Sequence, residues 1–331
     1  MNVFEVALDI VLNVALLFIM MVPGFLMKKC RLSTESFGKG VSNLVLYIAQ
    51  PALTFVAFLK PFDKQILINS AYVLVFSVLL HLVFALITMN MFKKAPDGMR
   101  RMLRFATIFS NVAFMGIPLV DVVLGEKYPG ATIYALIYSI TYNIFLWSLG
   151  VKICTDGKDN DKNGVDDHDD HKKKSTILTA FIHPTTIAAF LGLLFFIFPI
   201  ENSVPDLAVE ALEMLKGLVR PLSMLVIGLR LADMSFKGML GDKHMYVFLA
   251  LRHVALPLLA LGLVKLVDII LPGGVDEVVQ MVIVILAAVP AATSSTMFAE
   301  KFDCDSVYVS RLVTVSTLLS IITIPLLLLL V

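Results

Sequence analysis

Asn111-Val112-Ala113-Phe114-Met115-Gly116-Ile117-Pro118-Leu119, together with Ala288-Val289-Pro290-Ala291-Ala292-Thr293-Ser294-Ser295, decides how this chain folds. Each stretch lies inside a long apolar run and carries a proline near its middle. A mid-helix proline removes one backbone donor and clashes with the preceding turn. In hydrocarbon the freed backbone groups cost several kcal/mol unless a neighbour, water or ligand satisfies them. Two such prolines, 172 residues apart, therefore predict two membrane helices broken at matched depth, at Pro118 and at Pro290.

The composition fits a membrane protein. Of the 331 residues, 58% are hydrophobic and only 16% charged, against roughly 25% charged residues in soluble domains. The formal net charge of +1 provides no overall field to recruit nucleic acid. Ten apolar stretches approach the roughly 20 residues a bilayer crossing needs. They cover residues 3–27, 38–59, 66–92, 102–124, 130–153, 177–199, 206–231, 245–270, 276–299 and 306–330. The first contains Glu5 and Asp9, where a signal peptide would carry basic residues, so it reads as a span.

Punctuation recurs at matched places in the two halves. Tyr47-Ile48-Ala49-Gln50-Pro51 in the second stretch answers Leu218-Val219-Arg220-Pro221 in the seventh, and Glu126-Lys127-Tyr128 answers Glu300-Lys301-Phe302. The expected architecture is an all-α membrane protein with two five-helix repeats, 1–153 and 176–331, joined by a linker loop over 154–175. Because five is odd, the second repeat inserts upside down, the plan of many secondary transporters. Basic residues cluster in the loops after odd-numbered spans, including Lys28, Lys29, Arg31, Lys39, Lys93, Lys94, Arg230 and Lys237. Those loops are expected in the cytoplasm, with both termini outside the cell membrane. All three cysteines fall in or beside the same loops, and no disulfide is expected.

Half-helix N-termini at the two breaks would present unpaired N–H groups and positive dipole ends, each worth about 0.3–1 kcal/mol to an anion. The polar residues Ser110, Asn111, Thr293, Ser294 and Ser295, with Gly116, Pro118 and Pro290, form the expected binding set. Ordinary kink-satisfying hydroxyls would have the same composition, but the symmetry of the two breaks favours a site.

At these residues the chain resembles the auxin efflux carrier family, which includes bacterial carboxylate carriers and the plant auxin exporters. The likeness rests on Asn111 followed by Met115-Gly116-Ile117-Pro118-Leu119, on Pro221-Leu222-Ser223-Met224-Leu225-Val226-Ile227-Gly228-Leu229-Arg230-Leu231-Ala232-Asp233, and on Phe298-Ala299-Glu300-Lys301, Ser316-Thr317-Leu318-Leu319-Ser320 and Ile324-Pro325. The resemblance implies a scaffold of spans one, two, six and seven, often a homodimer. It implies a mobile domain of spans three to five and eight to ten, and elevator-like transport of a small carboxylate at a helix crossover. Asn111 matches the family's crossover asparagine and takes over its role as hydrogen-bond donor to the substrate. Many relatives have an asparagine at the second crossover, where this chain has Thr293, Ser294 and Ser295.

Ionisable residues within spans need a partner or a wet cavity. Arg220 could pair with a substrate carboxylate or cap carbonyls freed by Pro221. His81 could couple protons but is read first as a neutral, hydrogen-bonded histidine. Arg252 is expected to extend toward the headgroups, with His253 beside it. Asn43, Gln50, Tyr142, Asn143 and Gln280 could line a cavity or join helices. In the linker, Asp159, Asp161, Asn163 and Asp170 with Gly164 follow the spacing of a calcium loop, yet so mixed a charge tract reads first as a solvated connection. No cofactor is expected, and the coupling ion is H⁺ or Na⁺. The rival readings are a sodium-coupled importer of an organic anion and a ligand sensor that does not transport. No metal-ligand pair, nucleophile elbow or phosphate-binding Gly loop appears in any span, which argues against an enzyme.

Overall fold

The computed structural model describes residues 3–156, 182–198, 204–232, 242–271 and 273–330. The calcium-loop candidates Asp159, Asp161, Asn163 and Asp170 lie outside the described residues. The described chain is helical throughout. In order it forms α1 (Val3–Ile19), α2 (Val22–Lys29), α3 (Ser36–Phe58), α4 (Lys64–Met89), α5 (Asp97–Ile108), α6 (Val112–Val123) and α7 (Ala131–Thr155). There follow α8 (Pro184–Ile197), α9 (Asp206–Gly217), α10 (Val219–Ala232), α11 (Lys243–Ile270), α12 (Glu277–Ala288), α13 (Ser294–Lys301) and α14 (Ser306–Leu328).

Among the described residues, six helices are long and apolar enough to cross a membrane: Val11–Lys29 across α1 and α2, and α3, α4, α7, α11 and α14. The other four apolar stretches hold shorter or interrupted helices. Side chains from Thr34, Asp63, Asp242, Asp276 and Asp305 accept hydrogen bonds from the first turns of α3, α4, α11, α12 and α14. Each cap satisfies a donor that the helix leaves orphaned. Large apolar side chains on the outside, among them Leu12, Leu86, Phe190 and Ile269, are what a lipid-facing surface requires.

The prolines act differently from the sequence expectation. Pro51, Pro118 and Pro257 each follow a turn widened to π geometry, over Val45–Ala49, Val112–Gly116 and Leu251–Ala255. Widening removes the clash of each ring with the carbonyl four residues back, so the helix continues. In α6 the wider turn is explicit, as the Gly116 N–H donates to Asn111 O at 2.9 Å. Pro118 therefore sits within α6 and not at the break, which lies upstream at Phe109–Asn111. Pro290 is at its break, between α12 and α13. Pro221 interrupts its stretch at Leu218, between α9 and α10.

Two sets of helices pack closely within themselves. In one, α10 lies against α2 and α3, while α3 also packs on α8 and α9. Gly24 and Gly228 bring α2 and α10 into backbone contact: a Cβ on Gly24 would come within 2.2 Å of Leu225 O, and one on Gly228 within 2.0 Å of Met21 O. Small residues that allow such approach are a standard means of helix association in lipid. In the other set, α4 packs on α5, α7 and α12, α12 on α11 and α14, and α14 on α5 and α13.

Candidate functional site

The two interrupted helices meet at their breaks. Phe109 and Val289 leave helical geometry for extended backbone, and Ser110 and Ala291 then form a short antiparallel bridge. The Asn111 N–H donates to Pro290 O at 2.8 Å and the Ala292 N–H to Phe109 O at 3.0 Å. Backbone groups freed by one break are thus satisfied by the other, the condition for non-helical chain at membrane depth. Gly116 permits the approach, since a Cβ there would lie 2.8 Å from Leu286 Cδ2.

Four further carbonyls at the ends of α5 and α12, those of Thr107, Leu286, Ala287 and Val289, are met by side chains. The Ser110 hydroxyl donates to Leu286 O at 3.0 Å. Arg252, on α11 and 0% exposed, meets the other three. Its Nη1 donates to Thr107 O at 3.0 Å, Nη2 to Ala287 O at 2.7 Å and to Val289 O at 2.8 Å, and Nε to Val289 O at 3.1 Å. One guanidinium thus caps two helix C-termini, whose dipole ends are negative and favour a cation. The expectation that Arg252 extends toward the headgroups is corrected: its partners lie deeper, on the breaks. His253 beside it meets Ser316 at 2.8 Å and Thr323 at 3.0 Å, and Ser316 Oγ in turn accepts the Ala291 N–H at 3.0 Å.

The second half-helices bring polar groups to the same place. Asn111 is 2% exposed, and the Thr293 hydroxyl donates to its Oδ1 at 3.4 Å. Its amide nitrogen has no hydrogen-bond partner among the described residues. Turning the amide over would only exchange which end lacks one, because Thr293 reaches a single end. The buried Ser295 hydroxyl likewise has no partner among the described residues. A buried orphan costs about 1–3 kcal/mol, which makes Asn111 and Ser295 candidates to meet a ligand.

Other expected residues divide between the crossover and elsewhere. Gln50 is drawn in, its amide donating to Ala113 O on α6 at 2.6 Å. His81 is buried, with Nδ1 2.6 Å from Ser77 O, and stacks on Phe145 with Phe109 and Tyr142 nearby. Its polar partner is its own helix, and aromatic rings surround it. Arg220 does not face the crossover pair: its Nη2 lies 2.7 Å from Asp121 Oδ2 and its Nε 2.9 Å, with a further bond to Asp121 O. Asp121, which the sequence reading passed over, also accepts from the Thr132 hydroxyl at 3.0 Å. Asn43 is exposed and Asn143 half-buried. Gln280 stands in the first turn of α12, far along that helix from the break, and donates to Val275 O at 2.7 Å.

A family model described as "Membrane transport protein" matches residues 9–328, nearly the whole chain. The chain belongs to this family, that of the auxin efflux carriers. It is a multi-pass membrane transporter and not an enzyme. An uncharacterized transporter of Methanocaldococcus jannaschii is 22% identical over 334 residues, covering 97% of each chain. In this membrane transport protein two buried amide ends, Asn111 Nδ2 and Gln280 Oε1, lack a hydrogen-bond partner among the described residues, and of these Asn111 is the one at the crossing.

Proposed function

We propose that this transporter carries a small carboxylate, bound where the two broken helices cross and moved by alternating access. The observation that carries the reading is the buried, unpaired Asn111 amide beside the Ser110–Ala291 bridge. Three sources of positive potential converge there. The N-terminal ends of α6 and α13 point at the crossing, and Arg252 adds a full charge. The carbonyls around Arg252 contribute only partial charges, so a carboxylate completes the neutralisation of a buried cation. Asn111, Ser294 and Ser295 supply donors to its oxygens, with Thr293 holding the Asn111 amide, while His81, Tyr142 and Phe109 wall the site. Ten crossings in two inverted repeats, with both termini outside the cell membrane, fit the matched breaks and the distribution of basic residues. An elevator-like movement of the α4–α7 and α11–α14 set against α2, α3 and α8–α10 is supported by the two packing groups, with α1 packed on α14 and α6 of the one and on α10 of the other, and a homodimer through the group that holds α2, α3 and α8–α10 is the matching assembly. H⁺ or Na⁺ is the coupling ion in this reading, with His81 the titratable candidate.

The test is uptake and counterflow in proteoliposomes over malonate, malate, lactate and an indole acid, with and without sodium and proton gradients. At least one carboxylate is expected to exchange. Asn111→Ala is expected to weaken its binding about tenfold, the loss of one hydrogen bond to a charged group, with the protein still folded. No exchange of any carboxylate by correctly inserted protein, or unchanged affinity in Asn111→Ala, would overturn the assignment.

A further inference from the structure

Away from the crossover, Lys28 at the end of α2, Thr34, Gly38 and Lys39 at the start of α3, and Val226, Leu229 and Arg230 near the end of α10 line one cleft. The cleft is small and partly open to the surroundings, so it fits a single headgroup-sized anion held at the surface and not an enclosed ligand. Cations in the last turns of α2 and α10 are accounted for by the negative ends of those helices. Lys39 is not, since it lies near the positive end of α3. The three cations come from three helices that have no need to share a cleft for their own stability, yet they converge on it.

The rim distinguishes the class of ligand. Leu26, Leu32 and Phe37, within two residues in sequence of the lining residues Lys28, Thr34 and Gly38, are 52%, 74% and 40% exposed, and Leu32 follows Arg31, which holds a left-handed backbone with φ 57°. Cations and exposed apolar side chains in the same short segments are what a boundary between headgroups and acyl chains requires, where basic pockets between helices take anionic lipid headgroups. Gly38 keeps the cleft open. A Cβ there would meet only Leu229 Cδ1, at 3.8 Å, so packing does not require a glycine at this position.

We propose that this cleft binds a phosphate-bearing anion, with Lys28, Lys39 and Arg230 around the phosphate and, for a phospholipid, the acyl chains over Leu26, Leu32 and Phe37. The site is independent of the carboxylate assignment, because it shares no residue with the crossover. The experiment measures binding to the purified, detergent-solubilised full chain by native mass spectrometry and thermal shift. The probes are a short-chain phosphatidylglycerol, the corresponding phosphatidylcholine and inorganic phosphate. The anionic lipid is expected to bind at least tenfold more tightly than phosphatidylcholine, and more tightly than inorganic phosphate. Binding of phosphate as tight as that of the lipid would assign the cleft to a soluble phosphate and overturn the acyl part of the proposal. The double variant Lys39→Gln, Arg230→Gln is expected to lose at least tenfold in affinity for the anionic lipid, and Gly38→Leu to block the cleft without lowering the melting temperature of the unliganded protein. Equal binding of the anionic and neutral lipids, or parental affinity in both variants, would overturn the proposal. Carboxylate exchange assayed on the same variants keeps failure here separate from failure at the crossover.

Discussion

Arg252 shows how one residue can be read correctly as unusual and still be misplaced. A cation within a span requires a partner, and its sequence position near one end of the eighth apolar stretch favours the headgroups. Its partners come from elsewhere: Thr107 on α5, and Ala287 and Val289 at the end of α12. No local pattern encodes that meeting, because it depends on two breaks arriving beside a third helix. The consequence is testable. Arg252→Leu strands three buried carbonyls, each costing about 1–3 kcal/mol, and is expected to lower the melting temperature sharply or prevent folding. Arg252→Lys keeps the charge but replaces a planar fork with a single nitrogen, so an intermediate melting temperature is expected. If Arg252→Leu melts with the parent, the guanidinium does not hold the crossover together. Asn111 was legible for the opposite reason: it is adjacent in sequence to the break it serves.

At the scale of elements, the location of the helices was readable and the cause of the first break was not. Apolar run length placed helices in all ten stretches, since membrane thickness imposes it directly. Pro118 was the evident breaker, yet a π-widened turn absorbs it, and the chain opens at Phe109–Asn111, where the second break supplies backbone partners. Removing the proline should therefore leave the break in place. Pro118→Ala is expected to change stability by no more than about 1 kcal/mol and to leave substrate affinity unaltered; a large loss of affinity would return the break to the proline. Helix contact at Gly24 and Gly228 is a stricter requirement. Any side chain at Gly228 meets the Met21 carbonyl at the position of its first carbon, and backbone cannot give way as a flexible side chain can. Gly228→Leu is expected to separate α2 from α10 and cost about 1–3 kcal/mol, the usual range for overpacking, as read by thermal unfolding in detergent. Gly40, with nothing within 4 Å of an added Cβ, is the control position and should accept alanine without loss.

For the molecule as a whole, the contacts between the two packing groups differ in kind from those within them. Inside one group α2 and α10 touch backbone to backbone. Across the boundary the named polar links are the Gln50 bond to Ala113 O on α6 and the ion pair of Arg220 on α10 with Asp121 on α6. The Arg220 side chain is 39% exposed and that of Asp121 15%, so the pair is only partly enclosed, and polar pairs between membrane helices contribute about 0.6 kcal/mol on average. A link that weak can be broken and remade in every cycle without stalling it. If the α6-bearing set travels past α10, as the elevator reading requires, the pair holds one end state and must open on the way to the other. Arg220→Gln and Asp121→Asn are each expected to change the maximal transport rate by up to about fivefold, the kinetic equivalent of 1 kcal/mol, while substrate affinity stays within twofold. Because both substitutions remove the same interaction, the double variant is expected to resemble either single one. Rates equal to the parent in both single variants would mean that the pair does not change during transport. A main effect on affinity would instead place Arg220 with the substrate, the role its contact with Asp121 now argues against.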